Sequence, residues 1–263
     1  MIYVQSDHPP GAVGFVGGEI ARYHTFTVCF TGLNVPPGTR IFTGIGYDAA
    51  YNRNAVIEKA FFGCKSCFHP HKGSACPSCD CGEWVDQGLQ WVQLWDDDHV
   101  FAPDTLLRLL DSGENLVCPL YTQRQPPFRP CVYKRRVEDE KGGWEIYSWE
   151  DFEGYSGLAP VAAAGAGGML IRRPIIEAIG DKNWFEHENN VGEDMTFFKK
   201  CIDAGFVPYV DLRVQIGHMT PIEVWPNVNP ELQWGAKVNL FGNPQQTVEY
   251  WPAKYRAEHR SGS

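Results

Sequence analysis

Residues 91–99, Trp-Val-Gln-Leu-Trp-Asp-Asp-Asp-His, decide how this chain is read. Trp91, Gln93 and Trp95 alternate with Val92 and Leu94 at the two-residue period of a strand. Apolar residues on both faces predict a strand buried inside an α/β sheet. Three carboxylates, Asp96, Asp97 and Asp98, follow where that strand stops. Packed together they repel one another unless a cation sits among them, and the carboxyl end of such a strand is where open α/β sheets bind ligands. The stretch therefore predicts a metal site for a phosphorylated substrate. The plain alternative is a solvated acidic turn leading into the next helix.

Working outward, Ile2 to Gln5 reads as a short first strand, followed by the turn Pro9-Pro10-Gly11. Residues 13–30 fit helix and strand equally. Ile41 to Thr43 predicts a strand, and Asn52 to Phe62 a helix with Val56, Ile57, Ala60 and Phe61 on one face and Gly63 as its stop. Beyond the acids, Pro103 starts a helix whose Leu106, Leu107, Leu109 and Leu110 face inward and which Gly113 ends. Leu116 to Cys118 is the next strand. Residues 121–160 carry the Pro, Gly and aromatic content of loops and a hairpin lining a cleft. Asp194 to Ala204 is a second clear helix closed by Gly205, and Val207 to Val210 a strand. The last 45 residues, rich in Trp and Pro, are expected to pack on the core.

The 263 residues, 43% hydrophobic, suffice for one large core with a small appendage. Met1-Ile2-Tyr3 lacks the basic start and apolar run of a signal peptide, and residues 161–171 are too short and Gly-rich to span a bilayer, so a cytoplasmic protein without a membrane partner is expected. A formal net charge of −9 argues against holding nucleic acid by general electrostatic attraction. Lys134-Arg135-Arg136, Arg172-Arg173 and Lys199-Lys200 are the candidate local patches, each read first as a solvated face.

Five of the nine cysteines fall between Cys64 and Cys81. Cys64-x-x-Cys67 and Cys76-x-x-Cys79 have the paired spacing that lets four thiolates close a tetrahedron around Zn²⁺, with His69, His71 and Cys81 as nearby substitutes. Disulfides are the alternative, disfavoured in a reducing compartment. A segment of this size cannot bury a core, so the metal would supply most of its folding free energy. The remaining Cys29, Cys118, Cys131 and Cys201 read as small buried hydrophobes. The zinc segment interrupts the chain between a predicted helix and the Trp91 strand, and so is an insertion.

Four features occur in a fixed order: Arg53-Asn54 on an early helix, Asp96 to Asp98 after the buried strand, Gly165-Ala-Gly-Gly-Met-Leu-Ile-Arg172, and Gly192-Glu193-Asp194 opening a helix before Gly217-His218. In this order they resemble the GT-A-fold glycosyltransferases, in particular family 2-like enzymes found in bacteriophages. The resemblance covers roughly residues 1–220 without the zinc segment. It implies an α/β, Rossmann-like, mostly parallel sheet flanked by helices. The expected domains are a core over 1–218, the zinc-binding insertion at 63–90, and a C-terminal extension over 219–263.

It also implies roles. The Asp-x-Asp motif falls on Asp96 and Asp98, which with His218 would hold Mn²⁺ or Mg²⁺. Such a hard cation, bound by few protein groups, keeps positions for two diphosphate oxygens. Ser6, Arg53, Asp96, Asp97, Arg124 and Gly167 would contact a nucleotide diphosphate sugar, a UDP-sugar by resemblance. Leu120-Tyr121, Arg124 and Pro126-Pro127-Phe128 resemble the segment the family places after its second core strand. Asp194, with Glu193 next in line, would be the general base of an inverting transfer; a retaining enzyme needs none. Gly165 to Gly168 lacks the third glycine of a dinucleotide loop and the Gly-Lys-Ser/Thr of a P-loop, and is read as close backbone approach to the donor sugar. The acceptor hydroxyl could be a 5-hydroxymethylpyrimidine of phage DNA, a glycan or a protein. A sugar nucleotidyltransferase and a non-catalytic zinc-containing binding protein are the competing readings.

Overall fold

The computed structural model describes residues 1–17, 24–46, 48–62, 88–125, 127–137, 143–180, 183–188, 191–220, 222–228, 230, 234–240 and 247–250. These residues form two compact units, one over 1–122 and 129–217, the other over 123–128 and 218–263.

The first unit is built on a seven-stranded sheet: β1 (Ala12–Gly17), β2 (Arg40–Ile45), β3 (Trp91–Asp96), β4 (Leu116–Leu120), β5 (Leu158–Pro160), β6 (Leu170–Arg172) and β7 (Tyr209–Gln215). Their order across the sheet is β5-β7-β4-β6-β3-β1-β2. Five strands run one way. The short β6 runs against β3 and β4 in the middle of the sheet, and β5 runs against β7 at one edge. The expectation of a mostly parallel sheet thus meets a mixed one. β3 behaves as its sequence predicts, since Trp91 through Trp95 are all buried. Trp91 donates its indole N–H to the Pro9 carbonyl at 2.9 Å, and Trp95 reaches the Gln93 amide oxygen at 3.0 Å, so the polar atoms of this apolar strand are satisfied.

The short first strand expected over residues 2–5 is present as Ile2–Tyr3, and the central sheet begins with β1. Ile2–Tyr3 pairs with Asn34–Val35 away from that sheet. Five α-helices occur among the described residues: α1 (His24–Gly32), α2 (Ala49–Phe62), α3 (Thr105–Asp111), α4 (Arg173–Ile179) and α5 (Glu193–Asp203). The strand Val132–Val137 pairs with Gly143–Ile146 as the expected hairpin, and Ala163–Ala164 adds to its other side. Cys118 and Cys201 are buried as expected, whereas Cys29 and Cys131 are only partly so. None of the described helices is long and apolar enough to cross a membrane.

Glycines set how closely α2 lies on the sheet. A Cβ at Gly14 would stand 2.2 Å from the Val56 side chain, and one at Gly44 would stand 2.4 Å from the Asn52 carbonyl oxygen. The second obstacle is backbone and cannot rotate away. Gly44→Ala should therefore push α2 off the sheet and lower stability by about 1–3 kcal/mol, read as a fall in the thermal midpoint.

The second unit contains an antiparallel sheet of Ile222–Val228, Trp234–Leu240 and Thr247–Tyr250, in that order. Its other segment is residues 123–128, which include Arg124. The cysteines Cys64, Cys67, Cys76 and Cys79 lie outside the described residues.

Candidate active site at the carboxyl end of the central strands

Arg53 is the centre of the site. It sits in the second turn of α2, 5% exposed, and its guanidinium bonds Asp96 through Nη2 at 2.8 Å and Glu193 through Nη1. Asp96 is the last residue of β3, and Glu193 the first of α5. One buried cation thus ties together a strand end and two helices that are distant in sequence. Burial lowers the guanidinium pKa, but the surrounding carboxylates of Asp96, Glu193 and Asp194 outweigh that effect, and the group is held charged above its ordinary range. Its flat face lies over the Phe185 ring, 5.7 Å from the centroid.

The neighbouring Asn54 fixes the same segment from the other side. Its amide donates to the Phe185 carbonyl at 2.7 Å and accepts from the Phe185 N–H at 3.0 Å. His187 faces Glu193 at 3.7 Å and Asp48 at 3.5 Å.

Asp194 follows Glu193 in the first turn of α5, where its Oδ1 accepts the Met195 N–H at 2.8 Å. Acids are favoured at that helix end, but burial dominates here. It pushes the carboxyl up to about 6; Arg53 opposes the shift, and Glu193 and Asp96 add to it. Such a carboxylate is poised to take a proton near neutral pH. Cys118, on β4, has its thiol pushed up by burial and then by the charge of Asp194.

Past β3, Asp98 pairs with His99 Nδ1 at 3.2 Å. His99 is 1% exposed and was missed in the sequence, where it read as the residue after an acidic run. Its ring stacks edge-on against Tyr121 at 4.8 Å. The glycine motif closes over both rings. A Cβ at Gly167 would stand 2.3 Å from the imidazole, a Cβ at Gly165 2.0 Å from the Tyr121 hydroxyl, and the Gly167 N–H donates to that hydroxyl at 3.2 Å. The absent side chains of Gly165 and Gly167 are thus explained by packing against Tyr121 and His99. Gly168 alone needs the left-handed backbone region, at φ 76°.

The structure brings together Arg53, Asp96, Glu193 and Asp194, and beside the same strand end Asp97, Asp98 and Gly167. It does not bring Ser6 there. Ser6 accepts the His8 N–H, and the following Pro9 and Pro10 abut Trp91 and Gln90 at the opposite end of β3. That end is about 17 Å from Asp96 at 3.3 Å per strand residue. Arg124 belongs to the second unit. His218 is half-buried and follows Gly217 directly. Gly217 lies against Val100, where a Cβ would be 3.5 Å from the valine side chain.

No family model and no curated protein matches this chain. Among solved structures, A197 from STIV aligns over 85% of this chain and 92% of its own, at 16% identity and a TM-score of 0.47. GalNAc-T7, solved with UDP, GalNAc and Mn²⁺, aligns over 79% of this chain at 10% identity and a TM-score of 0.49. The chain spans 43% of the length of that structure.

Proposed function

We propose that this protein is a glycosyltransferase that moves a sugar from a nucleotide diphosphate donor, a UDP-sugar, to an acceptor hydroxyl. The observation that carries the reading is the Arg53 cluster. A buried guanidinium organises Asp96 and Glu193 at the carboxyl end of the parallel strands, with the Asp194 carboxyl raised to about 6 beside it. An acid held there has the properties of a general base for a hydroxyl nucleophile.

The donor set also suits a hard divalent cation. Asp96 is engaged by Arg53, and Asp98 with its imidazole neighbour offers oxygen and nitrogen ligands of the kind Mn²⁺ accepts. Asp98, His218 and Asp96 would hold the ion. When bound, it would offset the charge that develops on the departing diphosphate. Asp194 takes the acceptor proton, Arg53 fixes the two acids that flank it, and Tyr121 with His99 supports the glycine turn below.

The same proposal includes a structural Zn²⁺ on Cys64, Cys67, Cys76 and Cys79, and with it a reducing, cytoplasmic setting. Support for a DNA acceptor is weakened by the basic hairpin, where Lys134 and Arg135 are already paired. Lys134 meets Asp151 at 2.8 Å and Glu145 at 3.5 Å, and Arg135 meets Glu145 at 2.7 Å.

The test is to offer a panel of nucleotide sugars with Mn²⁺ or Mg²⁺ and follow nucleoside diphosphate release. Mass spectrometry then compares hydroxymethylated DNA, glycans and peptides as acceptors, and elemental analysis of the same preparation reads zinc. Chelator-sensitive cleavage of one donor is expected. If no nucleotide sugar is bound or cleaved in the presence of either cation, the proposal falls.

A further inference from the structure

The segment 148–155, Ser-Trp-Glu-Asp-Phe-Glu-Gly-Tyr, is tied down by hydrogen bonds and packing and yet presents two large aromatic rings to solvent. Ser148 donates through its N–H and hydroxyl to Asp151 at 2.7 and 3.0 Å. Backbone bonds from Phe152 to Trp149, Glu153 to Glu150 and Tyr155 to Phe152 wind it into consecutive turns. Phe152 stacks flat on Tyr147, with centroids 4.9 Å apart and planes 6° from parallel, and Lys134 clamps Asp151 from the hairpin. On this frame Trp149 is 45% exposed and Tyr155 55%. Packing does not require either ring to face water, and Trp and Tyr on a fixed turn are the residue types that anchor ligands.

The charge around them selects the ligand. Glu150, Asp151 and Glu153 lie in the segment, no basic residue occurs between Lys141 and Arg172, and Lys134, which reaches it from the hairpin, is paired with Asp151, leaving the two glutamates as the net charge. Phosphates would be repelled. Sugar rings, by contrast, offer C–H faces to aromatic planes and hydroxyl donors to carboxylates, and carry no charge to be repelled.

We propose that Trp149, Tyr155 and the carboxylates of Glu150 and Glu153 form a binding platform for a neutral saccharide, the acceptor of the transfer. This rests on the glycosyltransferase reading. The platform connects to the site through the hairpin: the Tyr147 N–H donates to the Val132 carbonyl at 2.9 Å, Val132 pairs with Ala164, and Gly167 follows three residues on. Two strand spacings and three residues of chain put Tyr147, on which the platform is stacked, within about 20 Å of the glycine turn, and Trp149 lies two residues beyond it. The acceptor it suits is therefore an oligosaccharide and not a single sugar.

The experiment presents the whole protein with an array of neutral di- to hexasaccharides of glucose, mannose and N-acetylglucosamine, alongside single-stranded DNA oligonucleotides. Binding is followed by calorimetry at two salt concentrations. Affinity for one saccharide series should rise with chain length and be insensitive to salt. It should fall about tenfold or more in Trp149→Ala and Tyr155→Ala at an unchanged thermal midpoint, and be largely kept in Trp149→Phe. Saccharide binding equal in the alanine variants overturns the platform, as does tighter, salt-dependent binding of the oligonucleotides or binding of neither class. Donor cleavage by the unaltered protein, measured in parallel, separates failure of the platform from failure of the glycosyltransferase reading.

Discussion

Arg53→Ala should be the most damaging single substitution in the first unit, lowering stability by about 3–5 kcal/mol. Removing the guanidinium leaves Asp96 and Glu193 without their shared partner, and the carboxylate of Asp194 without the cation that opposes its burial shift. The loss is that of uncompensated buried charge, which exceeds the worth of any one ion pair. Arg53→Lys should not restore it, because a single ammonium cannot reach two carboxylates with the fixed fork of a guanidinium. Denaturant unfolding of both variants measures the effect. Either variant within 1 kcal/mol of the parent, on the order of a surface substitution, would show that the cluster is not held by Arg53.

Asp194→Asn should have the opposite pattern, with a large loss of transfer and no loss of stability. Removing a general base costs about 10²- to 10⁴-fold in rate. The parent's transfer rate should fall as pH drops through about 6, where the buried carboxyl takes up its proton, and the asparagine variant should lack that limb.

The stability sign follows from the same shift. A carboxyl raised from 3.8 to about 6 on folding favours the folded state below pH 4 and loses that contribution as pH rises through 6. The ionised form is therefore a burden at pH 7, worth at most about 3 kcal/mol. Asparagine carries no such burden and can keep the Oδ1 contact to the Met195 N–H. The variant should thus match the parent near pH 4 and melt at or above it at pH 7. Equal transfer rates in parent and variant would remove Asp194 from the reaction.

The elements legible in sequence were those whose signal is local. β3 could be read because both of its faces are apolar over five residues, and α5 because its apolar face and the closing Gly205 are strong cues. α2 was read from Asn52, and the structure begins it one turn earlier at Ala49. β6 and α4 were not separated within the glycine motif. Three strand residues and seven helical ones are too few to show a period, and only tertiary packing reveals that β6 runs backwards between β3 and β4.

In the site, the acids were legible as a run, but the partner of Asp96 was not. Arg53 is 43 positions from Asp96 and 140 from Glu193, and an ion pair leaves no mark on spacing. The donor role of Arg53 comes from the resemblance, and its ion pairs with Asp96 and Glu193 are visible only in the fold. Ser6 followed from the resemblance alone, and the structure ties it to the His8 N–H beside the entry to β3.

The way the chain leaves α2 and enters β3 separates what can vary from what cannot. Arg53 lies near the start of α2, and Phe62 closes it about 14 Å further along the axis. Asp96 ends β3, and Gly88 to Gln90 lead in at its far side. Both attachment points of residues 63–87 thus stand at the end of the sheet remote from the acids. That end works as a socket. A connection there can lengthen or shorten at a closure cost that grows only with the logarithm of its length, while the charged cluster keeps its register. The protein can therefore acquire, exchange or shed a module between helix and strand without renegotiating its chemistry.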